Sequence, residues 1–403
     1  MLKAPIMRRP PPLLIPGSSP SSLHLAHQAN FSPSTSTTPP YVLHVLSLPS
    51  LGYLFAGSDD SLRLFSPTLE LLSTLKSTQK GITSLVRGAG EASTAVFSTA
   101  RDGSVVGWDV RDLSKEAFRL KNKTGAPYLT CSQSSDLACL AVGAEMHHHE
   151  ATIDFWYHPS PSPFPSSANL ITIRDLRTLS LVQTYTEAHS DDLTSLSFHP
   201  STTLPHVLLS ASVDGLVNTY DVRIADEDDA LMSTAQFGAS VSSAGWMKLE
   251  GEIEGKGVWG VTTIETVQIW DVEQVSKGIY LRGKTRGMGA DEKWSGQSEL
   301  VVDLGDVREV CLEPWRSDYL IGAHYNPTLG GVCILTGTQK GDIAIINMKD
   351  PSRWILEQVL PGVGGRTLGG QGHADIVRCA YLDTQTSTVV TGGEDGRVCV
   401  WTL

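Results

Sequence analysis

Asp102-Gly103-Ser-Val-Val-Gly-Trp108-Asp109 returns as Asp214-Gly215-Leu-Val-Asn-Thr-Tyr220-Asp221, and again as Asp395-Gly396-Arg-Val-Cys-Val-Trp401. Each time an Asp-Gly turn is followed by an apolar run that ends on a large aromatic. Asp-Gly between alternating apolar residues predicts a β-hairpin, with both turn positions expected at positive φ. Its return at wide, similar spacing predicts a repeat architecture rather than a string of unrelated hairpins.

Seven segments fit the repeat. They close at Phe65, Trp108, Trp156, Tyr220, Trp270, Ile346 and Trp401. With the insertions set aside, each occupies roughly 45–50 residues, near the WD period of about 40–45. The pattern resembles the WD-repeat family, which implies an all-β, seven-bladed propeller in a single domain over residues 21–403. Further stretches resemble the subfamily of WD repeat-containing protein 89. Among them are Glu187-Ala-His-Ser-Asp-Asp192, Asp306-Val-Arg-Glu-Val310, Gly337-Thr-Gln-Lys-Gly341 and Thr391-Gly-Gly-Glu-Asp395. Residues 157–170, rich in Pro and Ser, and 277–298, rich in Gly and Lys, read as flexible insertions. Residues 1–20 read as a disordered, Pro-rich tail. The sequence stops just after the third strand of the last blade, so Ser22–His27 is expected to supply the fourth strand and close the ring.

Composition narrows the function classes. The 403 residues carry a net charge of −12, with a pI near 5.4, which argues against sequence-independent nucleic-acid binding. No apolar run approaches the length of a membrane span. The six Cys lack CxxC spacing and read as buried, reduced thiols, which predicts an intracellular protein of the cytoplasm or nucleus. No Asp or Glu precedes Asp59, while Lys3, Arg8 and Arg9 lie near the start. That balance suits a transit peptide, but Pro10, Pro11, Pro12 and Pro16 oppose the amphipathic helix one requires.

His189, Ser212 and Asp214 imitate a hydrolase triad, and His373 with Asp395 imitates part of one. No G-x-S-x-G elbow or other nucleophile context accompanies them, so a hydrolytic propeller is a distant reading. The family resemblance implies another role, a hydrogen-bonded network pinning each blade. It assigns His189, Ser212 and Asp214 to blade four, with Tyr220 in place of Trp. In blade seven it assigns His373, Asp395 and Trp401 with no evident Ser, and in blade two Asp102 and Trp108. Blades one, two, five and six lack the His and are expected to rest mainly on apolar packing.

His147-His148-His149-Glu150 invites a metal reading, but three adjacent His on a short turn cannot all face one tetrahedral ion. The Gly-rich stretches 250–256 and 362–372 lack a P-loop Lys-Ser/Thr. No cofactor or metal is therefore expected. The acidic run Asp226–Asp229 reads as a solvated loop or, more sharply, as a dock for a basic partner. Trp108-Asp-Val-Arg111, Tyr220-Asp-Val-Arg223 and Arg174-Asp-Leu-Arg177 resemble the WDxR-type box of cullin-RING ligase substrate receptors. That implies adaptor docking through Arg111 and Arg223, against the plainer reading of local carboxylate pairs. Asp306 and Arg308, in a segment leading into blade six, are further surface-contact candidates. The function expected is a non-catalytic protein-interaction scaffold, with a ligase substrate receptor as the alternative.

Overall fold

The computed structural model describes residues 13–17, 23–32, 38–49, 51–89, 93–157, 179–248, 257–272, 298–310, 315–326, 331–350, 353–365, 370–383 and 388–402. Short antiparallel strands joined by tight turns form seven sheets. Their four-strand units span residues 42–76, 82–121, 128–189, 193–236, 241–306, 319–360 and 377–402, the last completed by a strand from the N-terminus. The first strand of each sheet packs against the first strands of its two neighbours, and the seventh meets the first. The result is a closed seven-bladed propeller.

Its core lies between the blades. Seven apolar clusters fill the seven inter-blade gaps. The cluster between blades seven and one gathers Phe31, Val42, Phe55, Phe65 and Val398. Second strands such as Ala95–Ala100, Val207–Ser212 and Thr388–Gly393 are buried along their whole length, because both faces of the sheet are covered. That explains why they read as continuous apolar or small-residue runs. Small residues also admit large neighbours: a Cβ at Gly260 would come within 2.4 Å of the Phe237 ring.

The turns into the third strands correct one sequence expectation. Gly103, Gly215 and Gly396 have positive φ, but the preceding Asp102, Asp214 and Asp395 do not. Gly103 N–H donates to the Ala100 carbonyl at 3.0 Å, and Gly215 and Gly396 make the equivalent bonds. A single left-handed residue thus ends each turn. The Asp carboxylate caps the turn instead: Asp102 Oδ1 accepts from Ser104 N (3.0 Å), and Asp395 Oδ1 from Arg397 N (3.0 Å). Two consecutive positive φ values occur in blade three, at His148 (53°) and His149 (72°). His147 and Glu150 exchange both backbone hydrogen bonds across that two-residue turn. The histidine run is a hairpin tip, and no group of metal-ligating side chains occurs among the described residues.

The N-terminal segment does more than the sequence predicts. Strand β2 (His24–Asn30) pairs antiparallel with the last strand, Arg397–Thr402, a little further along than the expected Ser22–His27. Before it, strand β1 (Leu13–Pro16) pairs in parallel with Arg353–Leu360, the outer strand of blade six, giving that blade five strands. The expected disordered tail over 1–20 therefore needs correction at residues 13–16. Leu14 packs onto the core between blades five and six, which holds the segment in place. Residues 158–178 and 273–297, covering nearly all of the two expected insertions, lie outside the described residues.

Candidate functional site

In blade seven four side chains form a chain of hydrogen bonds. His373 Nδ1 meets Asp395 Oδ1 at 3.0 Å, His373 Nε2 meets Thr391 Oγ1 at 2.9 Å, and Trp401 Nε1 donates to the same hydroxyl at 3.1 Å. Thr391, on the second strand of the blade, supplies the hydroxyl that the expected Ser would have offered. Burial pushes the Asp395 carboxyl up, but the His373 hydrogen bond and backbone N–H groups outweigh it and hold it below the ordinary range.

Blade four repeats the pair and corrects its partner. His189 Nδ1 meets Asp214 Oδ2 at 3.0 Å, but Nε2 meets Ser210 Oγ at 2.8 Å, not Ser212. Ser212 Oγ instead donates to the Asp191 carbonyl and accepts from Asp214 N–H, bracing the turn. Both serines sit on one strand two residues apart and share a face, so spacing alone does not separate them. Tyr220 does not take the place of Trp in the network either. Its hydroxyl donates to the Ala188 carbonyl (3.3 Å) and accepts from Asn218 Nδ2 (3.1 Å).

Blades one, two, three and six are pinned by other polar groups rather than by apolar packing alone. Gln79 takes the histidine position in blade two: Ser98 Oγ donates to Gln79 Oε1 (2.5 Å) and accepts from Trp108 Nε1 (2.7 Å). Asp102 joins the chain at one remove: Gln79 Nε2 donates to Ser104 Oγ (3.1 Å), which donates to Asp102 Oδ1 (2.5 Å). In blade one the buried Arg63 pairs with Asp59 at 2.8 Å and lies 4.0 Å from the centre of the Phe31 ring. In blade three Tyr128 and Thr184 both donate to the buried Asp154. In blade six Trp315, from the connection before the blade, donates to Thr336 Oγ1 at 3.0 Å.

A second motif recurs at the surface. Arg111, Arg223 and Arg308 each fold back on the Asp two residues earlier. Nε donates to Oδ1 at 2.9, 2.8 and 3.0 Å, and Nη2 to Oδ2 at 2.6, 2.6 and 2.7 Å. The Arg111 hydrogen bonds hold the Asp109 carboxyl below its usual range. At Asp221 and Asp306 burial pushes upward and the arginines outweigh it. The three arginines keep 66%, 39% and 44% of their side chains exposed, so each is preset rather than hidden.

The three pairs divide between the faces. Val110 and Val222 donate to Thr94 and His206, in the loops joining first to second strands, so Arg111 and Arg223 mark what we term the lower face. Arg308 Nη2 reaches the Ile264 carbonyl, in a loop joining second to third strands, which places it on the upper face. Asp306 also ends the outer strand of blade five, Glu299–Asp306, rather than opening blade six. No flat partner can engage all three. Arg174–Arg177 lies outside the described residues. In the acidic run, Asp226 caps the helical turn Glu227–Ala230, and Glu227 Oε2 accepts from Thr186 and Glu187 N–H. At least one acid of that run is therefore structural. Along the axis, Thr130, Ser132, Ser195, Ser197 and His324 border a cavity of about 510 Å³.

Comparison with known proteins agrees with this geometry. The family model described as WD domain, G-beta repeat matches residues 179–221 and 365–402. The chain carries WD repeats. The two matched segments are those that hold the His189–Asp214 and His373–Asp395 pairs, while the other blades use the altered pins described above. The first match also runs from the outer strand of blade three to the third strand of blade four. The WD repeat is thus offset by one strand from the blade, which is why a ring of such repeats needs a strand from elsewhere to close.

A WD repeat-containing protein of Saccharomyces cerevisiae is 26% identical over 357 residues, covering 87% of this chain and 75% of its own length. One from Arabidopsis thaliana is 30% identical over 243 residues, covering 57% of this chain and 52% of its own length. The WD repeat-containing protein 89 homolog of Dictyostelium discoideum is 24% identical over 236 residues, covering 58% and 55%. The matched region thus spans about half the length of the latter two relatives. WD-repeat propellers in general are protein-interaction scaffolds. No helix among the described residues is long and apolar enough to cross a membrane.

Proposed function

We propose that this WD-repeat propeller is a non-catalytic interaction scaffold that presents loops on two faces to partner proteins. The observation that carries the reading is where its chemistry-bearing side chains are spent. His189, Asp214, His373 and Asp395 are buried and bonded to one another or to hydroxyls within the blades. Cys131, Cys139, Cys333, Cys379 and Cys399 are buried free thiols, and burial pushes Cys131 and Cys333 up to about 12, away from thiolate. Seven inter-blade cores hold the loops in fixed register, which lowers the ordering cost of a partner's docking. Native purification of the tagged full chain with quantitative mass spectrometry tests this. Stoichiometric, salt-resistant partners are expected; a chain that elutes alone at physiological salt would overturn it.

A second reading is favoured by one observation, the matched geometry of Arg111 and Arg223 on the same face. It supports docking to the adaptor of a cullin-RING ligase through these two residues. The Arg111→Ala, Arg223→Ala double variant should then lose adaptor binding while melting like the parent. Full retention of binding would remove the idea.

A further inference from the structure

The lower face of blades seven, one and two carries a groove of about 1060 Å³, at the upper end of small-ligand sites and stretched over three blades rather than gathered into one cleft. Its walls are loops and strand ends. Pro49 and Leu51 come from the first turn of blade one, Pro67 and Thr68 from the second lower turn of that blade, and Tyr381 from the inner strand of blade seven. Pro49 and Pro67 are exposed, while Leu51, Tyr53 and Tyr381 are half-buried. The floor is thus apolar and aromatic, but wet at its edges.

The groove is electrically polarised. Asp383 lies at its blade-seven end, close enough to Tyr53 to act on the phenol electrostatically, and is itself engaged. Arg87, the last residue of the inner strand of blade two, lies at the other end. The residue is half-buried, and its side chain makes no ion pair or hydrogen bond with any described residue. Arg63, Arg111, Arg119, Arg223, Arg308, Arg378 and Arg397 all have carboxylate partners. In a chain of net charge −12, Arg87 has no counter-ion among the described residues at this groove mouth.

We propose that this groove docks an extended, acidic peptide segment of a partner protein. One carboxylate side chain of the peptide bonds to Arg87, and a neighbouring large apolar side chain rests on Tyr53, Tyr381 and Pro67. A groove lined from three blades suits several consecutive side chains of an extended strand. Its two charged ends fix the direction in which the strand lies. The arrangement matches an interface hot spot: an aromatic floor, a planar bidentate donor and a polar rim. The inference rests on the scaffold reading and supplies the chemistry of one of its partners.

A phage-displayed library of random dodecapeptides panned on the full chain tests it, with selected peptides labelled with fluorescein and titrated by anisotropy. The expected result is enrichment of Asp or Glu within a few positions of Leu, Phe or Tyr. Arg87→Gln should weaken binding about tenfold or more, the loss expected for a charge-assisted hydrogen bond. Thr68→Trp, on an exposed loop, should block the groove without disturbing the fold, which a thermal melt checks. Arg101→Gln, on an exposed turn of the opposite face, should change nothing, and panning on Arg87→Glu should select basic peptides. Three results would overturn the groove: no selected peptide, selection without acidic residues, or binding indifferent to both Arg87→Gln and Thr68→Trp. These outcomes leave the scaffold standing, whereas a native chain without stoichiometric partners removes the scaffold itself.

Discussion

Thr391 Oγ1 lies between His373 Nε2 (2.9 Å) and Trp401 Nε1 (3.1 Å), so one hydroxyl joins the second and third strands of blade seven to the loop that leads into it. All three side chains are buried. Removing the hydroxyl strands two buried polar groups at once, each costing about 1–3 kcal/mol. Thr391→Ala should lower the thermal midpoint clearly, and Thr391→Ser should recover most of the loss. Equal melting of Thr391→Ala and the parent would mean the network carries no stability.

Blade four allows a sharper comparison. Ser210 bonds His189, while Ser212 braces the Asp191–Asp214 turn. A double-mutant cycle pairing His189→Ala with Ser210→Ala should give a coupling of about 0.5–3 kcal/mol, and the cycle with Ser212→Ala close to none. The reverse ranking would restore Ser212 to the network.

What the sequence carried is what neighbours in the chain decide. The Asp-Gly turns, the aromatic that closes the third strand in every blade but the sixth and the Asp-x-Arg pairs are local, and each lies within ten residues of its partner. Ser210 and Ser212 were confused because strand alternation puts both on one face. Which of them meets His189 depends on how blades three and four are staggered, which no local pattern encodes. Gln79, Arg63 and Asp154 went unseen as blade pins because each is a different chemical answer to the same burial problem, at positions where the repeat leads one to look for His. Strand β1 was illegible for another reason. It has four residues, ends on a proline and pairs in parallel with a strand more than 300 positions later, so pattern and composition both read as tail.

That double attachment makes the N-terminus a graded staple. Deleting residues 1–17 removes β1 and the partly buried Leu14, and should cost about 1–2 kcal/mol. Deleting residues 1–30 also removes β2, the buried Leu23 and the cover over the Trp401 strand, and should cost more than about 3 kcal/mol. Urea unfolding of the parent and both deletions measures the steps. An unchanged midpoint for the longer deletion would mean that the ring does not depend on the borrowed strand.

Acid should destabilise the ring in two stages. His44, on the inner strand of blade one, is half-buried and bonded to the Ile82 backbone; burial lowers its pKa from 6.5 to about 4. Burial lowers His324 in the same direction. Between those two values the unfolded chain binds a proton that the folded chain refuses, so stability is complete above pH 6.5 and falls as pH drops toward 4. The His44 shift corresponds to at most about 3 kcal/mol, and the partial exposure of the side chain reduces that toward 1. Below about pH 4 a second loss begins, because Asp214 and Asp395 have depressed folded pKa values and their contribution disappears as they take up protons. Thermal midpoints from pH 7.5 to 3.5 should therefore fall first between 6.5 and 4. His44→Gln should make that first stage shallower, leaving the share of His324 and His206, and leave the second unchanged. A parent midpoint that is level down to pH 4.5 would show that water reaches the imidazole freely and that its proton is not excluded by the fold.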